Sequence, residues 1–169
     1  MSAPPALVLP VAADDAERIA ELAAEIWRHH YPGIISAAQI EYMLKQRYEP
    51  ALIRRELQQR GLWWDKLVRG AAIVGFASCF LVDASNDMKL DKLYVHPNGQ
   101  RQGLGGRLIA LVCQRARLNG CCRVVLAVNR HNAGAIAAYL RHGFAIRGTR
   151  VADIGGGFVM DDYLMAREL

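Results

Sequence analysis

A glycine-rich segment joins a predicted strand to a predicted helix, and its residues suit the binding of a phosphate group. The segment runs from Val95 to Arg107 and holds three glycines between positions 103 and 106. The first N–H groups of a helix lack acceptors within the helix and lie at the positive end of its dipole. Glycine has no Cβ and lets a phosphate approach this backbone closely. With the positive charges of Arg101 and Arg107 beside it, the segment predicts a pyrophosphate-binding turn. A plain tight turn that uses glycine is the alternative.

Two common phosphate-binding motifs do not account for this segment. The dinucleotide motif GxGxxG fails, because the sixth position counted from Gly103 is Leu108. The P-loop motif GxxxxGK[ST] is absent from the sequence. If the segment binds a phosphate, it does so through a turn of another kind.

A second set of residues lies at helical spacing after the glycine-rich segment. Asn132, Ala135 and Tyr139 are separated by three and four residues and so share one helical face. Asn132 is also a favourable residue for the start of a helix. A capped helix with a packed tyrosine explains the same pattern without any ligand, so both interpretations stay open.

Hydrophobic periodicity and turn signals predict the elements that position these residues. Two capping-box patterns, at 14–17 and 36–39, predict helix starts. The predicted strands cover 6–11, 62–69, 71–82, 88–95, 124–128, 144–152 and 157–167. The predicted helices cover 15–29, a segment from 36, a segment from 50 to 61, 104–118 and 132–141. The order β-α-α-α-β-β-β-α-β-α-β-β predicts an α/β protein with a mixed sheet.

Composition excludes several classes of protein and partner. The 169 residues are 53% hydrophobic, which suits one folded domain and not a disordered chain. No apolar run reaches the ~18 residues of a membrane helix, so no membrane partner is expected. The net charge of +5 suits a phosphorylated ligand, whereas the dispersed basic residues give no nucleic-acid motif. Four cysteines without metal-ligand spacing, and no signal peptide at the start, predict a metal-free cytoplasmic protein.

The two motifs together resemble those of the GCN5-related N-acetyltransferases, the GNAT superfamily. The matching residues are Gln100-x-x-Gly103-x-Gly105 and Asn132-x-x-Ala135-x-x-x-Tyr139-x-x-x-Gly143-Phe144, and the resemblance spans about 88–145. It implies a mixed, mostly antiparallel sheet of six to seven strands flanked by helices, with two central strands splayed at the cofactor site. It also implies one acetyltransferase domain over 1–169, with acceptor-side helices at about 14–60 and an acyl-CoA-binding core at about 88–145.

The resemblance assigns acetyl-CoA as cosubstrate. The backbone of Leu93 and Val95 would bind the pantetheine arm, the glycine-rich turn the pyrophosphate, and the Asn132 face the cofactor tail. The implied cofactor-binding residues are Leu93, Tyr94, Val95, Gln100, Arg101, Gln102, Gly103, Leu104, Gly105, Gly106, Arg107, Asn132, Ala135 and Tyr139.

The reaction implied is direct transfer of an acetyl group to a primary amine. The amine must be neutral to attack, and the departing thiolate needs a proton. Tyr139 matches the position of the family's general acid. For the base, related ribosomal-protein acetyltransferases carry Glu where this chain has Ala127, and histone-type members place Glu in the preceding strand. Asp91 is the only carboxylate in that region, and it is either a base or a solvent-facing charge paired with Lys89 or Arg107.

The family resemblance places the acceptor amine between the first helices and the last strands. Trp27 and Tyr31 offer aromatic surface there, and Asp153, Asp161 and Asp162 could attract a polyamine. Trp27 in the core and the aspartates facing solvent are the structural alternatives. The segment 27–44 is similar to bacterial polyamine or diamine acetyltransferases. The expected acceptor is a small-molecule amine such as a polyamine or amino acid.

Two other functions and one assembly stay open. A protein or peptide acetyltransferase would act on a lysine side chain or an N-terminus, and a non-catalytic acyl-CoA-binding module would turn over no amine. A homodimer through the last strands is a possible assembly.

Overall fold

A computed structural model describes residues 4–169, and its elements follow the predicted order. The elements are β1 (Leu7–Pro10), α1 (Ala16–His30), α2 (Ala37–Tyr48), α3 (Pro50–Leu57), β2 (Leu62–Arg69), β3 (Ala72–Leu81), β4 (Asp87–Val95), α4 (Leu104–Leu118), β5 (Arg123–Asn129), α5 (Ala133–Arg141), β6 (Ala145–Gly155) and β7 (Phe158–Glu168). Short 3₁₀ helices at Ala13–Asp15 and Pro97–Gly99 precede α1 and α4. The interpretation of the N-terminus as lacking a signal peptide rests partly on residues 1–3, which lie outside the described residues.

The strands form one seven-stranded sheet in the order β1-β2-β3-β4-β5-β7-β6. All neighbouring strands are antiparallel except β4 and β5, which are parallel. These two strands pair only where Asp87–Lys89 face Arg123–Val125, and they diverge beyond that point. The mixed sheet with splayed central strands, expected from the resemblance, is confirmed.

The two faces of the sheet carry separate apolar cores. Helix α4 buries Leu108 and Val112 on one face, where Met88 and Val124 also lie. Helices α1 to α3 cover the other face, with Ile19, Trp27, Ile53 and Phe76 among the buried residues. The helical and strand periodicities of the sequence are therefore satisfied by burial on both faces of the sheet.

The two predicted capping boxes have different outcomes. Ser36 Oγ accepts a hydrogen bond from the Gln39 N–H at 3.1 Å, as expected at the start of α2. The pattern at 14–17 forms no box, because the chain enters α1 through a 3₁₀ turn. There Asp15 accepts from the Ala12 N–H at 2.7 Å, and Glu17 pairs with Arg54 instead.

A buried ion pair joins α4 to β2. Arg115 donates two hydrogen bonds to the carboxylate of Asp65, at 2.6 and 3.0 Å, and Asp65 is 3% exposed. The Asp65→Asn variant leaves Arg115 without its counter-charge, so we expect the free energy of unfolding to fall by ~3 kcal/mol or more. Urea titration measures this change. The control is Glu41→Gln, which breaks an exposed pair with Arg28 and is expected to unfold at nearly the wild-type midpoint. Equal midpoints for the two variants would contradict the assignment.

Candidate acetyl-transfer site

A cavity of about 1060 Å³ opens where β4 and β5 separate. One part, called here the cofactor groove, is lined by the end of β4, the turn before α4, and α5. The other part, called the acceptor chamber, is lined by α1, α2, the first half of β4, β6 and β7. The residues of the acceptor chamber used below are Tyr31, Tyr42, Arg47, Lys89, Asp91, Arg150 and Asp162.

The turn before α4 presents free N–H donors to the cofactor groove. Gly103 caps α4 in a left-handed conformation with φ of 73°, which glycine adopts without strain. Within residues 4–169, no acceptor is bound by the N–H groups of 103–106. The Gln100 side chain donates to the Val95 carbonyl at 3.2 Å and fixes the turn against β4. Four free donors at a helix start can bind the oxygens of a pyrophosphate.

Most of the predicted cofactor residues line the cavity, and two do not. The residues that do are Leu93, Tyr94, Val95, Gln100, Arg101, Gly103, Leu104, Gly105, Gly106, Asn132, Ala135 and Tyr139. Arg107 points away, because its guanidinium donates to the Ala6 carbonyl at 2.6 Å. Gln102 accepts from Arg69 at 2.7 Å outside the cavity. Sequence spacing placed both residues at the turn but could not show the direction of their side chains.

An aromatic cluster packs beneath the cavity, and three of its members, Trp27, Tyr31 and Tyr94, line it. Trp27, Tyr31, Tyr48, Phe76 and Tyr94 pack with ring centroids 4.4 to 6.5 Å apart. The hydroxyl groups of Tyr31 and Tyr94 are 2.9 Å apart, and burial raises the pKa of both.

The two aromatic residues predicted on the acceptor side, Trp27 and Tyr31, line the cavity but are mostly buried. Trp27 is 1% exposed, so most of its ring lies in the core. Tyr31 is also buried, and its hydroxyl is directed at Tyr94. The aromatic spacing in α1 therefore reflects packing across the helix–sheet interface.

Helix α5 presents its predicted face to the cavity. The Oδ1 atom of Asn132 accepts from the Ala135 N–H at 3.4 Å and lies 3.0 Å from Nε2 of His30. Tyr139 packs against Phe144 with ring centroids 5.5 Å apart. Burial raises the pKa of Tyr139, which keeps its hydroxyl protonated at neutral pH. Within residues 4–169 that hydroxyl has no hydrogen-bond partner, so its proton is available to a ligand.

Asp91 is held by two cations and is a poor candidate for the base. It lies at a bulge in β4, where neither Cys79 nor Ser78 pairs with it. Arg47 approaches one carboxylate oxygen at 3.0 Å and Lys92 the other at 2.6 Å. Burial opposes ionisation, but these cations outweigh it and lower the pKa of Asp91 to about 2. A carboxylate of that pKa accepts protons weakly at neutral pH. The partners expected from the sequence, Lys89 and Arg107, make no ion pair with it.

Asp162 has the opposite environment. It lies on β7 opposite Asn129 and is 4% exposed. Its Oδ1 atom has no hydrogen-bond partner among residues 4–169, and Oδ2 lies 3.9 Å from Arg150. Burial raises the pKa of its carboxyl group. The sequence could not separate Asp162 from its neighbour Asp161, which alternates to the other face and pairs with Arg130.

The β6–β7 hairpin is fixed over the acceptor chamber by α2. Tyr42 donates to the Ile154 carbonyl at 2.7 Å, and its ring packs against Phe158. The side chain of Gln39 donates to the Val159 carbonyl at 2.9 Å. A Cβ at Gly155 would lie 2.5 Å from the Tyr42 hydroxyl, so this close contact requires glycine. The hairpin therefore closes one side of the chamber.

Neither a metal site nor a membrane helix is present in the part of the chain from residue 4 onward. Its His, Cys, Asp and Glu side chains form no group of three that could hold a metal ion. Its helices are too short or too polar to cross a membrane.

Comparison with known proteins identifies the family. The chain is 26% identical over 152 residues to a spermidine N(1)-acetyltransferase of Thermoplasma acidophilum, which covers 88% of this chain and 91% of that protein. It is 38% identical over 97 residues to an uncharacterized N-acetyltransferase of Mycobacterium tuberculosis, covering 57% and 61% of the two chains. The fold matches the PaiA N-acetyltransferase of Thermoplasma acidophilum, solved with coenzyme A, at a TM-score of 0.85 and 21% identity over 98% and 99% of the chains. The family model of the acetyltransferase (GNAT) family matches residues 17–144. The chain therefore belongs to the GNAT family and is an acetyl-CoA-dependent N-acetyltransferase.

Proposed function

We propose that the protein transfers the acetyl group of acetyl-CoA directly to a primary amine of a small molecule in the acceptor chamber. The observation that carries this proposal is one continuous cavity that joins the free N–H donors of α4, the split between β4 and β5, and Tyr139. The small-molecule class is supported by the relative that is a spermidine acetyltransferase. It is also supported by the hairpin contacts of Tyr42 and Gln39, which narrow the space that a peptide backbone would need.

The cofactor groove fits acetyl-CoA in two ways. Beyond Lys89, the edge of β4 that faces β5 has no partner strand among residues 4–169. Backbone groups of that edge near Leu93 and Val95 are therefore free to bind the amide groups of the pantetheine arm. The N–H groups of 103–106 would bind the pyrophosphate, with Arg101 adding positive charge. These contacts would direct the thioester toward Tyr139 and the acceptor chamber.

Tyr139 is the proposed general acid. The amine nitrogen forms a bond to the thioester carbonyl carbon, and the carbon–sulfur bond breaks with its electron pair left on sulfur. Tyr139 gives its proton to that sulfur. Its raised pKa keeps the proton in place until the thiolate forms, and its lack of another partner leaves the proton free to transfer.

Asp162, and not Asp91, is the proposed acceptor of the amine's proton. Asp162 lines the acceptor chamber, and its buried Oδ1 atom is unpartnered. Because burial raises its pKa, its carboxylate binds a proton more readily than that of Asp91, which two cations stabilise.

The pH dependence of kcat tests this assignment. Below the raised pKa of Asp162 the carboxyl is protonated and cannot accept a proton, so the wild-type rate falls as the pH falls. We expect Asp162→Asn to lower kcat by about 100-fold and to remove this fall of kcat at low pH, the acid limb of the pH profile. Asp91→Asn should keep the limb, since Asp91 stays ionised down to a pH of about 2. An unchanged limb in Asp162→Asn would refute the role.

The whole function is tested by release of free CoA from acetyl-CoA across polyamines, amino acids, aminoglycosides and short peptides. Turnover concentrated on small amines supports the proposal. Turnover on peptides alone would replace it with protein acetylation, and acetyl-CoA binding without any turnover would replace it with a binding module.

The proposed organisation is one domain per chain and a dimer of two chains. Residues 1–169 act as one acetyltransferase domain, with the acceptor side at about 14–60 and the acyl-CoA core at about 88–145. A homodimer through the last strands is supported by β6, an edge strand whose Ile146 and Val151 are exposed. Light scattering in solution measures that assembly.

A further inference from the structure

The carboxylates around the acceptor chamber are all engaged or buried. Asp91 is bound by Arg47 and Lys92, and Asp162 lies beside Arg150 with its free oxygen enclosed. Asp153 lies outside the cavity, where it accepts from the Gly155 N–H at 2.8 Å. Within residues 4–169, the chamber thus offers Asp162 to one amine and no second unpaired carboxylate for the other ammonium groups of a polyamine.

The cations of the chamber are less well neutralised. Lys89 is half-buried on β4, and its Nζ atom makes no ion pair or hydrogen bond with any residue of 4–169. The ring of Phe80, 5.8 Å from Nζ, is a weak partner. Arg150 lies across the chamber on β6, and its ion pair with Asp162 is a loose 3.9 Å. An ammonium group removed from water without a counter-charge is unfavourable, and a bound anion would relieve that cost.

The charged groups of the chamber affect the ionisation of Lys89. Burial lowers the pKa of Lys89, and the nearby guanidinium groups of Arg150 and Arg47 lower it further, against the opposing effects of Asp91 and Asp162. Lys89, Arg150 and Arg47 all line the same cavity, and Arg47 is already paired with Asp91 at 3.0 Å, which leaves Lys89 and Arg150 to bind an anionic group. The same charges repel an acceptor that carries several ammonium groups.

We infer that the acceptor is an amine that also carries an anionic group, which Lys89 and Arg150 bind while the amine lies toward Asp162. This inference rests on the proposed function and names its substrate class: an amino carboxylate, or an amine bearing a phosphate, and not a polyamine. The two kinds of group lie side by side, because the guanidinium of Arg150 is 3.9 Å from the carboxylate of Asp162. The cationic pair would bind the acid group, and the buried carboxylate would face the amine.

Matched pairs of amines that differ only in the anion test the class. L-Lysine is compared with cadaverine, L-phenylalanine with phenethylamine, and O-phosphoethanolamine with ethanolamine, by CoA release. We expect kcat/KM to favour the anionic member of at least one pair by about 10- to 100-fold. The carboxylate and phosphate pairs distinguish the two kinds of anion. Preference for cadaverine or spermidine over every anionic amine would overturn the inference while leaving the proposed function intact.

Variants locate the anion site. In Lys89→Met and in Arg150→Gln, KM for the preferred anionic amine should rise by about 10- to 100-fold, and KM for its partner without the anionic group should not rise. Arg147→Gln is the control, because Arg147 lies on the same strand but outside the cavity. Arg150 is about half exposed, so its variant should fold even if Lys89→Met does not. An unchanged preference in Arg150→Gln would overturn the inference.

A binding measurement separates this inference from the reaction itself. With CoA present, the anionic amine should raise the melting temperature of the wild-type protein, and the matched amine without the anionic group should not. Stabilisation that persists in Arg150→Gln would count against the site. If anionic amines bind in this way but no amine is acetylated, the proposed function fails and the anion site stands.

Discussion

Replacement of Tyr139 by Phe is expected to lower kcat by about 100- to 1000-fold. The change removes only the hydroxyl group, which has no hydrogen-bond partner among the described residues, and keeps the ring contact with Phe144. Folding and the affinity for acetyl-CoA should therefore stay near the wild-type values. The loss should appear in kcat because the departing thiolate then has no positioned proton donor.

Steady-state kinetics combined with calorimetric titration of acetyl-CoA measures both quantities. Tyr163→Phe is the matched control, since Tyr163 is a tyrosine of β7 that lies outside the cavity. It should keep the wild-type kcat. A wild-type kcat in Tyr139→Phe would remove Tyr139 as the acid and leave protonation of the thiolate to water.

Replacement of Gly105 by Glu is expected to raise the Kd for acetyl-CoA by about 100-fold or more. Gly105 is in the first turn of α4, where its N–H is one of the free donors that face the groove. A carboxylate there would lie within a few ångströms of the bound pyrophosphate. Two like charges 4 Å apart near a protein surface repel each other by about 4 kcal/mol. The space beside the position is open, because an added Cβ would meet only Leu93, at 3.8 Å.

The fold should tolerate this substitution, since an acidic residue in the first turn of a helix is favourable. Gly148→Glu is the control: it introduces the same side chain on β6, at a position where no atom lies within 4 Å of the added Cβ. Melting temperatures of both variants separate unfolding from loss of binding. Wild-type affinity in Gly105→Glu would refute the assignment of this turn to the pyrophosphate.

Local sequence signals predict the elements and the glycine turn before α4 well. Strand β2 was predicted at its observed bounds, and α4 begins at Leu104 as its glycines and apolar spacing indicated. The reason is that helix and strand periods, and the need for glycine at φ of 73° in Gly103, are properties of short segments. The face shared by Asn132, Ala135 and Tyr139 follows from helical geometry alone.

Charge pairing across the sheet could not be predicted in the same way. The assignment of Asp91 as a base depended on which cations α2 and β4 bring to it, and the fold brings Arg47 and Lys92. Trp27 was compatible with surface or core until the sheet packed against α1. For these residues the partners lie on elements distant in sequence, so no local pattern records them.

The order of the elements, the glycine turn, the helical face of Tyr139 and the resemblance to an acetyltransferase family can all be read from the sequence. Only the folded chain shows which of two adjacent aspartates is buried, which arginine leaves the turn, and that Lys89 has no ion-pair partner among residues 4–169. The physical reason is that backbone conformation follows from neighbouring residues, whereas the pKa and charge balance of a site depend on burial and on contacts between distant segments.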